Sequence, residues 1–166
     1  MKWQLCIGAV AGILTDRFSV HKVLEQKNEE LESAKEKFFV LGEWLTMLEQ
    51  GKTAADVLRD KGISVIAIYG MGVLGSHLYQ QVKNGGICVS YIIDQKPLKG
   101  IYEAKVCGIE EKLIGVEAVV VTPVYQFEKI RETILEYNDV VVISLRDLLE
   151  QDERREKDDQ HYRPHI

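Results

Sequence analysis

Between residues 20 and 48 the apolar side chains Val20, Leu24, Leu31, Ala34, Phe38, Leu41, Leu45 and Leu48 recur at alternating steps of four and three, and Lys27 alone breaks the series. That spacing predicts a helix with a coiled-coil-like seam over about four heptads. Its other faces carry Glu25, Glu29, Glu30, Glu32, Lys35, Glu36 and Lys37. Such a stripe has to be covered, either by the chain's own sheet or by another copy. Residues 38–48 hold more large apolar groups and are expected to dock on the domain that follows. Residues 20–34 are expected to pair or project. Gly51 ends the helix as the residue just past its last turn. Thr53-Ala54-Ala55-Asp56 has the form of a capping box with Asp in the usual Glu place, opening a short helix through Asp60 that Gly62 stops.

After residue 62 the pattern changes to short β-rich runs alternating with amphipathic segments. Strands are predicted at 65–69, 88–93, around 104–106, 118–122 and 140–144. Helices are predicted at 73–83, with Leu74, Leu78 and Val82 on one face, at 126–136, with Phe127, Ile130 and Ile134, and from Arg146 to Glu150. Asn84-Gly85-Gly86 ends the first of these, and residues 110–113 are read as a helical turn. Val119-Val120-Val121 and Val140-Val141-Val142-Ile143 are solid apolar runs, the mark of strands buried on both faces. The alternation predicts an α/β fold: a Rossmann-like, doubly wound parallel sheet of about five strands with an N-terminal helical extension. The expected strand order is 3-2-1-4-5 with right-handed crossovers, and the ligand crevice lies where the order reverses.

Four regions follow: an apolar segment at 1–17, a helical extension at 18–62, a nucleotide-binding domain at 63–150 and a charged tail at 151–166. The tail lacks apolar periodicity and is expected to be disordered. The run from Trp3 to Leu14 is broken only by Gln4. As a helix it would span about 18 Å, short of a hydrocarbon core of about 30 Å. It suits three readings: a buried or self-associating segment, a membrane attachment through residues 3–14, or a cleaved leader. Gly8 and Gly12 form a small-residue face on which helices approach closely.

Composition changes this picture little. The net charge of -5, with no dense Lys/Arg cluster, argues against a nucleic-acid partner. Cys6, Cys88 and Cys107 form no CxxC pair and read as reduced thiols of a cytoplasmic protein. His21, His77, His161 and His165 have no metal-ligand spacing, so no metal is expected.

The chemistry concentrates in Gly70-Met71-Gly72-Val73-Leu74-Gly75, between a predicted strand and a predicted helix. In that context the GxGxxG spacing reads as a dinucleotide-type phosphate loop. Gly70 permits the tight turn, Gly72 lets a phosphate approach the backbone, and Gly75 lets the helix pack close. Backbone N–H groups of Gly72, Val73 and Leu74 would meet the phosphates. Asp94 ends the second strand, 24 residues after Gly70, where a carboxylate accepts hydrogen bonds from a ribose. Its charge favours NAD over NADP, a preference that neighbouring Lys96 weakens. Thr122-Pro123-Val124-Tyr125 falls on the same sheet edge. Thr122 is a candidate for a ligand hydroxyl or phosphate and Tyr125 for stacking on a base or sugar. An ordinary strand-ending loop explains those residues equally well, and an Asx-type turn is the rival explanation of Asp94. His77, Ser144 and Arg146 are weaker candidates.

No catalytic Ser/His/Asp, Cys/His or paired-carboxylate arrangement stands out, and little chain follows the last strand. The expected function is therefore binding of NAD or a nucleotide-sugar, with self-association through the N-terminal helix. The alternative is an NAD-dependent oxidoreductase or nucleotide-sugar-modifying enzyme whose site a partner chain completes. A methyltransferase relative using S-adenosylmethionine ranks last, because the fourth strand does not end in an acidic residue.

Residues 38–149 resemble a family of small bacterial proteins associated with cell-surface polysaccharide gene clusters. The resemblance rests on Trp44-Leu45 and Glu49-Gln50-Gly51-Lys52, then Ile66-Ala67-Ile68-Tyr69-Gly70-Met71-Gly72, Tyr91-Ile92-Ile93-Asp94, Val119-Val120-Val121-Thr122, Ile143-Ser144-Leu145 and Asp147-Leu148-Leu149. The domain is also similar to nucleotide-sugar-binding N-terminal domains of sugar acyltransferases and to CoA-binding Rossmann domains. The resemblance implies an accessory role in polysaccharide biosynthesis and, from the Gly/Ala-rich start of some relatives, a membrane attachment; it implies no particular activity.

Overall fold

A computed structural model describes residues 3–94 and 102–150, with side chains from Val20 onward. The expectations for the packing of residues 3–14, for Lys96 and for the tail at 151–166 lie outside what is described. The chain divides into two compact units, Met1–Glu36 and Lys37–Ile166.

The first unit belongs to helix α1, which runs Trp3–Glu49. Its described surface is exposed and laced with ion pairs one turn apart, Lys27–Glu30 at 2.7 Å and Lys35–Glu32 at 2.7 Å. No helix among the described residues is long and apolar enough to cross a membrane.

The second unit holds a five-stranded parallel sheet in the order β3-β2-β1-β4-β5. The strands are β1 (Val65–Tyr69), β2 (Cys88–Ile93), β3 (Lys105–Cys107), β4 (Ala118–Val121) and β5 (Val141–Ser144). Helices α2 (Ala54–Asp60), α3 (Val73–Asn84), α4 (Phe127–Tyr137) and α5 (Leu145–Leu149) pack around it. Successive strand residues point to opposite faces, so two cores form. Ile66, Ile68, Ile92, Ala118 and Val120 meet α2, α3, α5 and the last turns of α1. Ala67, Ile93, Cys107, Val119 and Val121 meet Ile130 and Ile134 of α4.

Helix ends follow local chemistry. Thr53 accepts from Asp56 N–H while Asp56 Oδ2 accepts from Thr53 N–H at 2.9 Å, so the capping box forms. Glycines at positive φ stop three helices in the same way. At Gly51 (φ 75°), Gly62 (φ 74°) and Gly86 (φ 81°) the glycine N–H and the following N–H turn back onto the last carbonyls. An L side chain rarely adopts that conformation.

Two expectations are corrected. Residues 38–48 do dock, but through Val40, Trp44 and Met47, not through the heptad seam; Phe38 stays 75 % exposed and Leu45 60 % exposed. The docked trio has the same four-and-three spacing on a neighbouring stripe of the helix. Val40, Trp44 and Met47, with Ala54, Ala55 and Leu58 of α2, pack into the core on one face of the sheet. Residues 110–113 form a turn, a bend and then irregular chain instead of a helical turn, because Asn138 holds them open: its Oδ1 accepts from Leu113 N–H at 2.8 Å and its Nδ2 donates to the Glu111 carbonyl at 3.1 Å.

Candidate nucleotide-binding loop

The loop between β1 and α3 leaves the carboxyl end of the central strand, beside β4 on one side and β2 on the other. It is stitched to both. Gly70 N–H donates to the Ile93 carbonyl at 2.9 Å, and Thr122 N–H donates to the Tyr69 carbonyl at 3.1 Å. This is the point where the strand order reverses, and open α/β sheets take ligands there.

The three glycines differ in what demands them. Gly70 sits at φ 85°, and a Cβ there would come within 3.0 Å of the Pro123 ring and of Thr122 Oγ1. At Gly75 a Cβ would lie 1.9 Å from the Gly70 carbonyl oxygen, so α3 could not close on the loop. Gly72 is another matter. Its φ of -69° suits any residue, and nothing lies within 4 Å of its Cβ position.

Gly72 is the N-cap of α3 and has no side chain with which to cap it. The intrahelical ladder starts with Ser76 N–H on the Gly72 carbonyl at 2.9 Å. The N–H groups of Val73, Leu74 and Gly75 precede that ladder, and with the helix dipole they make a positive end. Val73 is 68 % exposed at this end, whereas the Leu74 side chain is buried and offers only its backbone. His77 is exposed one turn further on.

Asp94 is placed beside the loop, and its Oδ2 accepts from Met71 N–H at 2.7 Å. The carboxylate thus fixes the middle of the glycine loop. The Thr122 hydroxyl is turned the same way: buried, it donates towards the Gly70 carbonyl at 2.8 Å and lies 3.1 Å from the Tyr69 carbonyl. Thr122 and Pro123 therefore shape the loop from behind. Tyr125 follows in a 3-10 turn at Val124–Gln126 and is half exposed. Ser144 is buried and caps α5, accepting from Arg146 N–H at 3.3 Å, and the Arg146 guanidinium pairs with Glu150. Neither is brought to the loop by these contacts.

Tyr69, which the sequence reading took only as a strand residue, is the polar group it missed. It ends β1 at the loop. Burial, and secondarily the negative charge of Asp94, push its phenol above the ordinary tyrosine value. Its ring packs on the α4 side of the sheet, against the cluster of Ala67, Val119 and Val121. Among the described residues no cluster of His, Cys, Asp and Glu is arranged to hold a metal ion. Comparisons with protein-family models, curated proteins and solved structures return no match.

Proposed function

We propose that the loop from Gly70 to Gly75 binds the phosphates of a nucleotide-type ligand, NAD or a nucleotide-sugar. The observation that carries this reading is Gly72. Gly70 and Gly75 are required by the chain's own packing, whereas Gly72 is required by neither φ nor space. An N-cap favours Ser, Thr, Asp or Asn, and Gly there forgoes a few tenths of a kcal/mol. The missing side chain leaves open approach to the uncapped N–H groups of α3, the arrangement an anionic phosphate needs. On this reading Asp94, with Tyr69 near it, would serve the ribose that follows. The resemblance to polysaccharide-cluster proteins supports a role accessory to cell-surface polysaccharide synthesis.

The test is calorimetry of the chain against NAD, NADP, UDP-sugars, CoA and S-adenosylmethionine, repeated with Gly72→Asp. The substitution supplies a capping carboxylate, so the fold stays intact by thermal melt. The same carboxylate excludes a phosphate, so binding is lost. No binding by any of these ligands removes the proposed function. Binding that is indifferent to Gly72→Asp moves the site elsewhere.

A further inference from the structure

The exposed seam of α1 has a pattern that selects its own partner. In heptad terms Leu24, Leu31, Phe38 and Leu45 take one core position and Val20, Lys27, Ala34, Leu41 and Leu48 the other. Val20, Leu24, Leu31, Phe38 and Leu45 are each more than half exposed. Docking of residues 40–47 uses a different stripe, so the seam is left for something else. The other faces of the helix carry more acidic than basic residues, Glu25, Glu29, Glu30, Glu32 and Glu36 against Lys22, Lys35 and Lys37, which suits a protein surface better than an anionic lipid one.

We propose that the seam pairs with the same seam of a second copy and that the two helices run antiparallel. Parallel, in-register pairing would set Lys27 against Lys27 and Ala34 against Ala34, placing a like-charge contact and a void in the core. An antiparallel pair centred between Leu31 and Ala34 avoids both. Leu31 then meets Ala34 of the second copy, Leu24 meets Leu41, Val20 meets Leu45, and Lys27 lies along Phe38. The last contact lays an aliphatic stem and its cation on an aromatic face.

The flanking charges fit the same register. Glu30 and Lys37 both stand one residue before a core leucine or phenylalanine, the position that faces its own kind across an antiparallel pair. Glu30 of each copy is thereby brought to Lys37 of the other, twice by two-fold symmetry. Glu30 already accepts from Lys27 Nζ at 2.7 Å, so the charges alternate across the joint. A parallel pair would bring Glu30 to Lys35 instead.

The full chain is expected to sediment as a dimer at micromolar concentration, and Leu31→Glu, at an exposed position, as a monomer with an unchanged thermal melt. In a Cys6→Ser, Cys88→Ser background the double variant Leu24→Cys/Leu41→Cys should form a disulfide-linked dimer on mild oxidation. The two positions lie about 25 Å apart along one helix, so that bridge has to join two chains. Each single cysteine variant should stay unlinked. Glu30→Lys should weaken association about tenfold, and adding Lys37→Glu should restore it. A monomeric wild type, a dimer indifferent to Leu31→Glu, self-linking of Leu24→Cys, or rescue by Lys35→Glu in place of Lys37→Glu would each overturn the proposal.

Discussion

The indole N–H of Trp44 donates to Gln81 Oε1 at 3.1 Å, and the same oxygen accepts from Ala54 N–H at 2.8 Å. One amide oxygen on α3 thus joins the last turns of α1 to the first turn of α2. Replacing Gln81 by Met keeps the volume and leaves two part-buried donors without that acceptor. The expected loss is about 2 kcal/mol of unfolding free energy in a urea titration. Gln81→Glu, which keeps the acceptor, should lose less. Equal losses in the two variants would show that the oxygen is not what holds these helices.

Gly75→Ala should destabilise the second unit by at least about 2 kcal/mol, since its Cβ would stand 1.9 Å from a backbone oxygen. Gly72→Ala, with open space around it, should stay within about 1 kcal/mol of wild type. Thermal melts of the two variants side by side check the contrast.

Gly85 passes close to α2: a Cβ on it would lie 2.2 Å from the Ala55 Cβ. Gly85→Ala is therefore expected to be destabilising, and adding Ala55→Gly should recover part of the loss. A double-mutant cycle measures this as a coupling of about 1 kcal/mol or more. Simple additivity would mean the two helices do not meet at this point.

Glu117 caps the start of β1. Its Oε2 accepts from Ser64 N–H at 2.6 Å and from Val65 N–H at 2.9 Å, and these backbone donors hold its carboxyl below the ordinary glutamate value. A depressed folded-state value stabilises the fold above the unfolded value, and that contribution disappears as pH falls through the folded one. Melting temperature should therefore drop on acidification below the usual glutamate range. The drop should be shallower in Glu117→Gln, which has no charge to lose. Parallel acid limbs for the two proteins would contradict this.

Thr122→Val keeps the shape of a buried side chain and deletes the hydroxyl that donates towards the Gly70 carbonyl at 2.8 Å. A cost of about 1 kcal/mol is expected. Amide hydrogen exchange should show the extra opening concentrated in the glycine loop.

The sheet was legible because its strands are marked twice, by solid apolar runs such as Val119-Val120-Val121 and by the amphipathic helices between them, α3 with its glycine end and α4. The capping box at Thr53 and Asp56 was legible because every atom it needs lies within four residues. Which stripe of α1 docks was not legible. Val40, Trp44 and Met47 share the spacing of the seam, and what distinguishes them is packing against residues far along the chain, with Trp44 also bonded to Gln81, 37 residues away. At the loop the glycine spacing showed where the turn falls. It could not show that Asp94 holds Met71 N–H, because a strand-ending carboxylate has the same local pattern whether it takes a ribose hydroxyl or a backbone N–H. Tyr69 escaped notice because a tyrosine at the end of an apolar run reads as one more strand residue.

The parallel sheet also bears on how the chain is assembled. β1 is the first strand made, yet its partners across β4, Tyr69 with Val121 among them, stand 52 residues later. During synthesis β1 has β2 on one side well before β4 exists to occupy the other. Its second edge, a row of unpaired backbone groups, stays bare until residue 121 has left the ribosome. That interval is when the nascent chain most needs protection from its neighbours.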